Sequence, residues 1–194
     1  MTAEKVEHLP FGFRWKDIPE VGLSIPIKSG WRMDSDVLLN NRGPDMLRFV
    51  LFDFVDPHGN YMTSLTIDAA RLHSSYGDES AEQYARHGLD EYGTRIKALS
   101  GVEAPNWIPP MVGSKRLFEE ESNDTTCYER IITTFPRKME AVRTNRYSTY
   151  VLNAANIATD TSYNIRFVTP ATLWGEYRET AEIMVDNVIL NKDF

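Results

Sequence analysis

The chain has 194 residues, a formal net charge of −7, and a composition that is 42% apolar, 25% charged and 11% aromatic. These values predict one soluble globular domain with its own core and exclude a disordered chain. The negative charge argues against a nucleic-acid binder, whose affinity depends on Lys and Arg, and no apolar stretch reaches the roughly 18 residues of a membrane span.

The cysteine content and the N-terminus bear on the compartment. Cys127 is the only cysteine, so no internal disulfide can form and a reducing compartment is the simplest inference. Residues 1–16 contain no apolar signal segment. The sequence therefore predicts a cytoplasmic protein, or an exported one if Met1 is not the native start.

The first part of the chain divides into an arm and the start of the domain. We expect residues 1–20 to form an irregular N-terminal arm, and residues 21–194 to form a single domain. Three alternating aromatic residues predict that one side of the arm packs on the domain; they are Phe11, Phe13 and Trp15. Val21 to Ile27 alternates as a strand, and Pro26 places that strand at an edge or ends it.

A hairpin and two helices follow from pattern. Leu47 to Val55 and Tyr61 to Ile67 predict a hairpin around the turn-forming residues 56–60, and the apolar first strand is expected to be central. A helix is predicted over 78–99, capped by Ser80 and stopped near Gly101. A second helix is predicted over 172–190, with a buried stripe at helical spacing; the stripe is Leu173, Tyr177, Ala181, Met184 and Val188.

The segment between the helices reads as a loop and then strands. Adjacent prolines make residues 105–111 an extended loop. The predicted strands that follow are 113–120, 125–135, 145–153 and Tyr163 to Val168. Strand runs between two helices predict an α+β fold, with a largely antiparallel sheet of about six or seven strands and two main amphipathic helices.

Two stretches near the ends of the chain carry a family resemblance. The first is Gly22-Leu23-Ser24-Ile25-Pro26 followed by Gly30-Trp31. The second is Tyr163-Asn164-Ile165-Arg166-Phe167, then Thr169-Pro170, then Trp174 and Tyr177 on the terminal helix. Together they resemble the PsbP-like family, which includes the Ran-binding Mog proteins, and the resemblance implies a helix–sheet sandwich that binds partners and mostly does no chemistry. Its motifs are structural, so they transfer no catalytic residues.

Catalytic and metal signatures are weak. The four histidines, at 8, 58, 73 and 87, lack metal-site spacing, and Cys127 has no adjacent histidine base. Nucleotide and serine-nucleophile motifs are absent. The turn 56–60 resembles that of the glyoxalase superfamily but is not followed by its metal-binding Glu. We predict no catalytic, cofactor-binding or metal residue, although carboxylates distant in sequence could meet in space: Asp34, Asp36, Asp53 and Asp68.

The proline-rich loop is the predicted contact surface. Rigid apolar loops lose little entropy on binding, and the candidate contact residues are Trp107, Ile108, Pro109 and Met111. The alternative is that Trp107 folds back over the core. The leading hypothesis is a non-enzymatic protein-binding domain of adaptor or chaperone type, in which a homodimer is an open alternative. The second hypothesis is a small-ligand binder or enzyme with a pocket on the sheet face.

Overall fold

The computed structural model describes residues 9–34, 46–53, 63–71, 80–87, 96–102, 111–122 and 145–194. The strands in these ranges are β1 Phe13–Ile18, β2 Leu23–Lys28, β3 Arg32–Asp34, β4 Met46–Phe52, β5 Ser64–Arg71, β6 Ile96–Val102, β7 Met111–Ser122, β8 Asn145–Asn156, β9 Thr161–Pro170 and β10 Ile189–Leu190. The α-helices are α1 Ala81–His87 and α2 Trp174–Asp186.

The strands form two sheets. A small sheet has the order β1-β2-β10, and a large sheet has the order β3-β4-β5-β9-β8-β7-β6. Every pairing among the described strands is antiparallel. The predicted α+β class with a largely antiparallel sheet and two helices is confirmed.

The main core lies between the large sheet, the small sheet and α2. Alternate residues of the central strands β5, β9 and β8 enter this core, because successive side chains of a strand point to opposite faces. We call this side of the large sheet the core face. Its fully buried members include Leu65, Ile67, Leu152, Ile165 and Phe167.

Helix α2 agrees well with its apolar periodicity. A 3-10 turn over Ala171–Leu173 follows Pro170 and leads into the helix. Tyr177, Ala181 and Met184 are buried, and Glu176 and Glu179 on the opposite side are exposed. The predicted end at residue 190 is wrong, because Ile189 and Leu190 pair with β2 as β10.

Helix α1, described over Ala81–His87, does not reach its predicted end. Ser80 caps it as expected: the Gln83 backbone N–H donates to Ser80 Oγ at 3.2 Å, and the Ser80 N–H donates to Gln83 Oε1 at 2.8 Å. The prediction that this helix continues to Leu99 is wrong, because Ile96–Val102 is strand β6 and pairs with β7. The spacing of apolar residues in that stretch is compatible with a strand as well as with the apolar stripe of a helix.

The two helices pack on opposite faces of the large sheet. Ala81 and Ala85 of α1 form a buried cluster with Ala155 of β8. Ala154, the neighbour of Ala155 in sequence, belongs to the main core. Adjacent strand residues point to opposite faces, so α1 lies on the face remote from α2, which we call the outer face.

The N-terminal segment contains a regular strand. Residues 13–18 were expected to be irregular, and that expectation is wrong, because they pair with β2 throughout as β1. Pro26 behaves as predicted for an edge: β10 pairs only with Leu23 and Ser24, so β1 is the one described neighbour of β2 at Pro26. Phe13 packs against the core, but Phe11 is fully exposed, contrary to expectation.

The hairpin prediction is confirmed by the pairing of β4 with β5, which joins Phe52 to Ser64 and Met46 to Ala70. Strand β4 also has two neighbours, because β3 pairs with its residues 50–52. The turn 56–60 and the predicted strand 125–135 lie outside the described residues.

The chain's last described residues fasten the small sheet. The Asn191 backbone N–H donates to Gly22 O at 2.7 Å. The Phe194 side chain packs directly on Gly22, which has φ of +62° and leaves no room there for a Cβ. Phe194 O accepts a bond from Thr159 Oγ1 at 2.5 Å. This C-terminal segment therefore joins the small sheet to the turn between β8 and β9.

Candidate functional site

A row of polar side chains crosses the centre of the outer face. Register places Thr66 opposite Arg166, Asp68 opposite Asn164, and Asn164 opposite Asn153. The residues between them, Leu65, Ile67, Ile165 and Leu152, belong to the core face. The five polar residues therefore share the outer face, and we call them the polar trough; they are Thr66, Asp68, Asn153, Asn164 and Arg166.

One hydrogen bond fixes the middle of the polar trough. Asn164 Nδ2 donates to Asn153 Oδ1 at 2.6 Å, which ties β9 to β8 across the sheet. Asn153 is only 2% exposed, whereas Asn164 is half-buried. This bond orients both amide groups, because the Nδ2 of Asn164 and the Oδ1 of Asn153 hold each other in place.

Apolar residues next to the polar trough on the outer face are buried. Val50, Val151 and Val168 on the same face are buried, and Ala155 lies under α1. Thr66, Asp68, Asn164 and Arg166 keep partial exposure in the middle. A wholly solvated face would expose these neighbours too, and a dry core would exclude the polar row. The outer face therefore combines a partly exposed polar row with buried apolar neighbours.

A second polar group lies on the core face, where it attaches α2 to the sheet. Tyr177 OH donates to Asp53 Oδ2 at 2.6 Å, and the Thr63 and Thr169 hydroxyls are 2.9 Å apart. Lys28 Nζ donates to Thr180 Oγ1 at 3.2 Å. Burial, and then the bond to Asp53, raise the pKa of Tyr177 to about 12.

The other buried tyrosines of this face are also poor acids. Burial, and then the 2.8 Å hydrogen bond that Tyr150 OH donates to Asp186 Oδ1, raise the pKa of Tyr150 above its ordinary range. Burial likewise raises the pKa of Tyr163. All three hydroxyls therefore keep their protons near neutral pH and do not supply a general base, and those of Tyr150 and Tyr177 connect α2 to the rest of the fold.

The carboxylates proposed from sequence do not converge where they are described. Asp53 contacts Tyr177 on the core face, while Asp68 belongs to the outer face. Asp34 ends β3, and Asp36 lies outside the described residues. In the described ranges no group of three or more His, Cys, Asp or Glu residues is arranged to hold a metal ion.

The predicted contact loop is only partly described. Met111 begins β7 and is 8% exposed, and the other contact candidates, Trp107, Ile108 and Pro109, lie outside the described residues. The same holds for Cys127 and for three of the histidines, and His87 is the last residue of α1. None of the helices in the described part of the chain has the length and apolarity needed to cross a membrane.

Solved structures with a similar fold include two members of the family that the sequence resembles. The chain is similar to cyanobacterial PsbP (CyanoP) from Synechocystis sp. PCC 6803, with 9% identity, a TM-score of 0.46, and coverage of 97% of this chain and 98% of that one. It is also similar to the Ran-binding protein Mog1p from Saccharomyces cerevisiae, with 12% identity, a TM-score of 0.48, and coverage of 93% and 96%.

A third similar structure is longer than this chain. It comes from Bacteroides thetaiotaomicron VPI-5482, with 14% identity and a TM-score of 0.44, and the match covers 89% of this chain but 46% of that one. No protein-family profile and no curated protein sequence matches the chain. These likenesses concern the fold and carry no functional conclusion.

Sequence reasoning did not single out the polar trough, although a signal for it was present. Asn164 and Arg166 alternate with Tyr163, Ile165 and Phe167, as expected for a strand with one apolar and one polar face. That alternation marks the polar face but does not show which strands lie beside it. Only the pairing of β9 with β5 brings Thr66 and Asp68 to the same place.

Proposed function

We propose that this chain is a non-enzymatic binding domain that contacts a protein partner, in the manner of an adaptor or chaperone. The observation that carries the proposal is the full exposure of Phe11, whose relative exposure is 105%, two residues before β1, the edge strand of the small sheet as described. Exposure of an aromatic ring to water is unfavourable, so a partner that covers the ring gains binding free energy.

The geometry of β1 supports the same proposal. Among the described strands β1 has one neighbour, β2, so its other edge belongs to no described ladder. Edge strands accept an added strand from another chain, and their backbone hydrogen bonds then supply affinity. Phe13 and Trp15 are half-buried and continue the aromatic row that Phe11 begins.

The loop 105–111 is the second proposed contact. Met111, at its end, is buried in the first position of β7. Because Met111 is held in the sheet, the proposed contact surface is limited to the other three candidates, Trp107, Ile108 and Pro109. Replacing Trp107 with Ala should weaken partner binding and leave the free energy of unfolding unchanged within about 0.5 kcal/mol. A large loss of stability would instead assign Trp107 to the core.

Site-specific photo-crosslinking in the native host tests the β1 surface. A benzoyl-phenylalanine at position 11 should form a covalent adduct with one defined protein, and the same reagent at exposed Glu176 on α2 should not. The yield of this adduct should fall when Trp15 is replaced by Ser, provided that the variant keeps the thermal midpoint of the unmodified protein. A ladder of unrelated adducts from both positions would contradict the proposal, and an adduct with a second copy of this chain would identify a homodimer.

A further inference from the structure

The polar trough combines donors and acceptors within the span of a small molecule. Directly paired residues of antiparallel strands have Cβ atoms about 5 Å apart, and diagonal neighbours are ~7–8 Å apart. Asp68 and Arg166 are diagonal neighbours across β5 and β9, with Thr66 and Asn164 completing the square. One small ligand can therefore reach all four side chains at once.

Burial distinguishes this square from an ordinary solvated sheet face. The four side chains are half-buried, while Val151, opposite Arg166, is only 1% exposed. Thr149 lies two residues before Val151 on the same face of β8. It is fully buried, and its hydroxyl has no hydrogen-bond partner in the described structure. Partly enclosed polar groups bind ligands more strongly than exposed ones, because the surrounding dielectric constant is lower.

The charges at the square select a ligand class. Arg166 presents a planar guanidinium that matches a carboxylate with two parallel hydrogen bonds. Asp68 places a negative charge beside it, and the chain as a whole carries −7. A dianionic phosphate would face more repulsion than a carboxylate with one charge. Asp68 would instead accept a hydrogen bond from an amino or hydroxyl group on the same ligand.

We propose that the polar trough is a binding site for a small carboxylic acid that carries an amino or hydroxyl group next to its carboxylate. Arg166 and Asn164 bind the carboxylate, and Asp68 and Thr66 bind the neighbouring group. Arg166 and Asp68 each already have an interaction within the protein, so the ligand joins or replaces it. Asn153 has a positioning role, because its 2.6 Å bond holds the Asn164 amide.

Nuclear magnetic resonance titration of the full chain tests the site directly. Glycine, lactate, acetate and inorganic phosphate are each added up to a concentration on the order of 10 mM, the range of weak small-ligand affinities. The side-chain amide signals of Asn153 and Asn164, and the Nε–H signal of Arg166, report on the site. Glycine or lactate should shift these signals in a saturable way, acetate more weakly, and phosphate least.

Three variants assign the roles. Arg166→Gln should weaken the binding of glycine or lactate at least tenfold, the effect expected from losing a charge-assisted pair of bonds. Asp68→Asn should reduce the preference for glycine over acetate. Arg178→Gln, on the exposed side of α2, is the matched control and should leave the titrations unchanged.

The proposal has defined ways to fail. If none of the four probes shifts the signals of the polar trough, the proposal is overturned. This test uses the unmodified chain, so it does not depend on whether a variant folds. Stronger shifts with phosphate than with glycine or lactate would overturn the ligand class. Equal affinity in Arg166→Gln, with an unchanged thermal midpoint, would overturn the role of Arg166. None of these results bears on the crosslink at position 11, so this site and the protein-binding surface are tested separately.

Discussion

The two faces of the large sheet come from the same central strands but use their polar groups differently. On the core face, the hydroxyls of Tyr177 and Tyr150 are bound by carboxylates of the protein itself. On the outer face, the polar trough keeps partial exposure at its centre. The difference indicates that polar groups of the core face connect elements of the fold, whereas four of the five trough residues on the outer face stay partly accessible to solvent.

The covers of the two faces differ as well. The core face is covered by α2 and the small sheet, which supply large apolar side chains such as Ile25 and Met184. On the outer face the described cover is α1, which meets the sheet through alanines and one small cluster. Among the described residues, the core face therefore buries more large apolar side chains than the outer face does.

The strongest test of this comparison uses two neighbours in β9. Ile165→Ala should lower the free energy of unfolding by about 2–5 kcal/mol, because it opens a cavity in the main core. Asn164→Ala should cost about 1–2 kcal/mol, because it removes the hydrogen bond to the buried Asn153. Urea denaturation measures both. Equal losses would mean that the outer face is packed as tightly as the core face.

The second test concerns the fastening of the small sheet over the core face. Gly22→Ala should cost about 2–4 kcal/mol, because the new Cβ meets the Phe194 ring and φ is +62°. Gly30→Ala is the matched control: φ is +92° there too, but open space surrounds the position, so about 1 kcal/mol is expected. Similar thermal midpoints for both variants would show that Phe194 does not hold the small sheet.

The third test separates a bonded tyrosine from a buried one without a partner. Tyr177→Phe should cost about 1.5–3 kcal/mol, because it removes a hydrogen bond to a carboxylate. Tyr163→Phe should be neutral or slightly stabilising, because no hydrogen-bond partner for its buried hydroxyl is found in the described structure. Denaturant unfolding at neutral pH measures both, and the opposite order would reverse the assignment.

The same tyrosine predicts a pH dependence. The pKa of Tyr177 is about 12 in the folded protein and ~10 in an unfolded chain, so the folded state favours the protonated form. Its contribution to stability is complete below pH ~10 and is lost as the pH rises toward 12. Tyr177→Phe should therefore flatten the alkaline fall in the thermal midpoint, and an unchanged profile would contradict the prediction.

The smallest expected effect lies on the exposed side of α2. Arg178 Nε and Glu182 Oε1 are 2.8 Å apart, but both side chains are largely in water. Arg178→Ala should change the free energy of unfolding by less than about 0.5 kcal/mol, because solvent screens an exposed i,i+4 pair. A loss above 1 kcal/mol would mean that α2 depends on its outer side as well as on its buried stripe.

Local sequence patterns correctly predicted the elements whose apolar spacing fits only one type of secondary structure. Tyr177, Ala181 and Met184 define the buried stripe of α2, and the β4–β5 hairpin follows from two apolar runs around a turn. The prediction of helix over residues 96–99 is wrong because their apolar spacing fits a strand, here the start of β6, equally well. Pairing with β7 decided between the two, and no property of residues 96–102 alone contains that information.

The candidate site shows the same limit. Sequence alternation determined that Asn164 and Arg166 share one face of their strand, the order of predicted strands and helices determined the fold class, and composition determined the acidic charge. Only the tertiary structure placed Thr66 and Asp68 beside them, because β5 and β9 pair across about a hundred residues of chain. It also placed α1 and α2 on opposite faces. Local sequence fixes periodicity, whereas strand order depends on long-range contacts that form only when the whole domain folds.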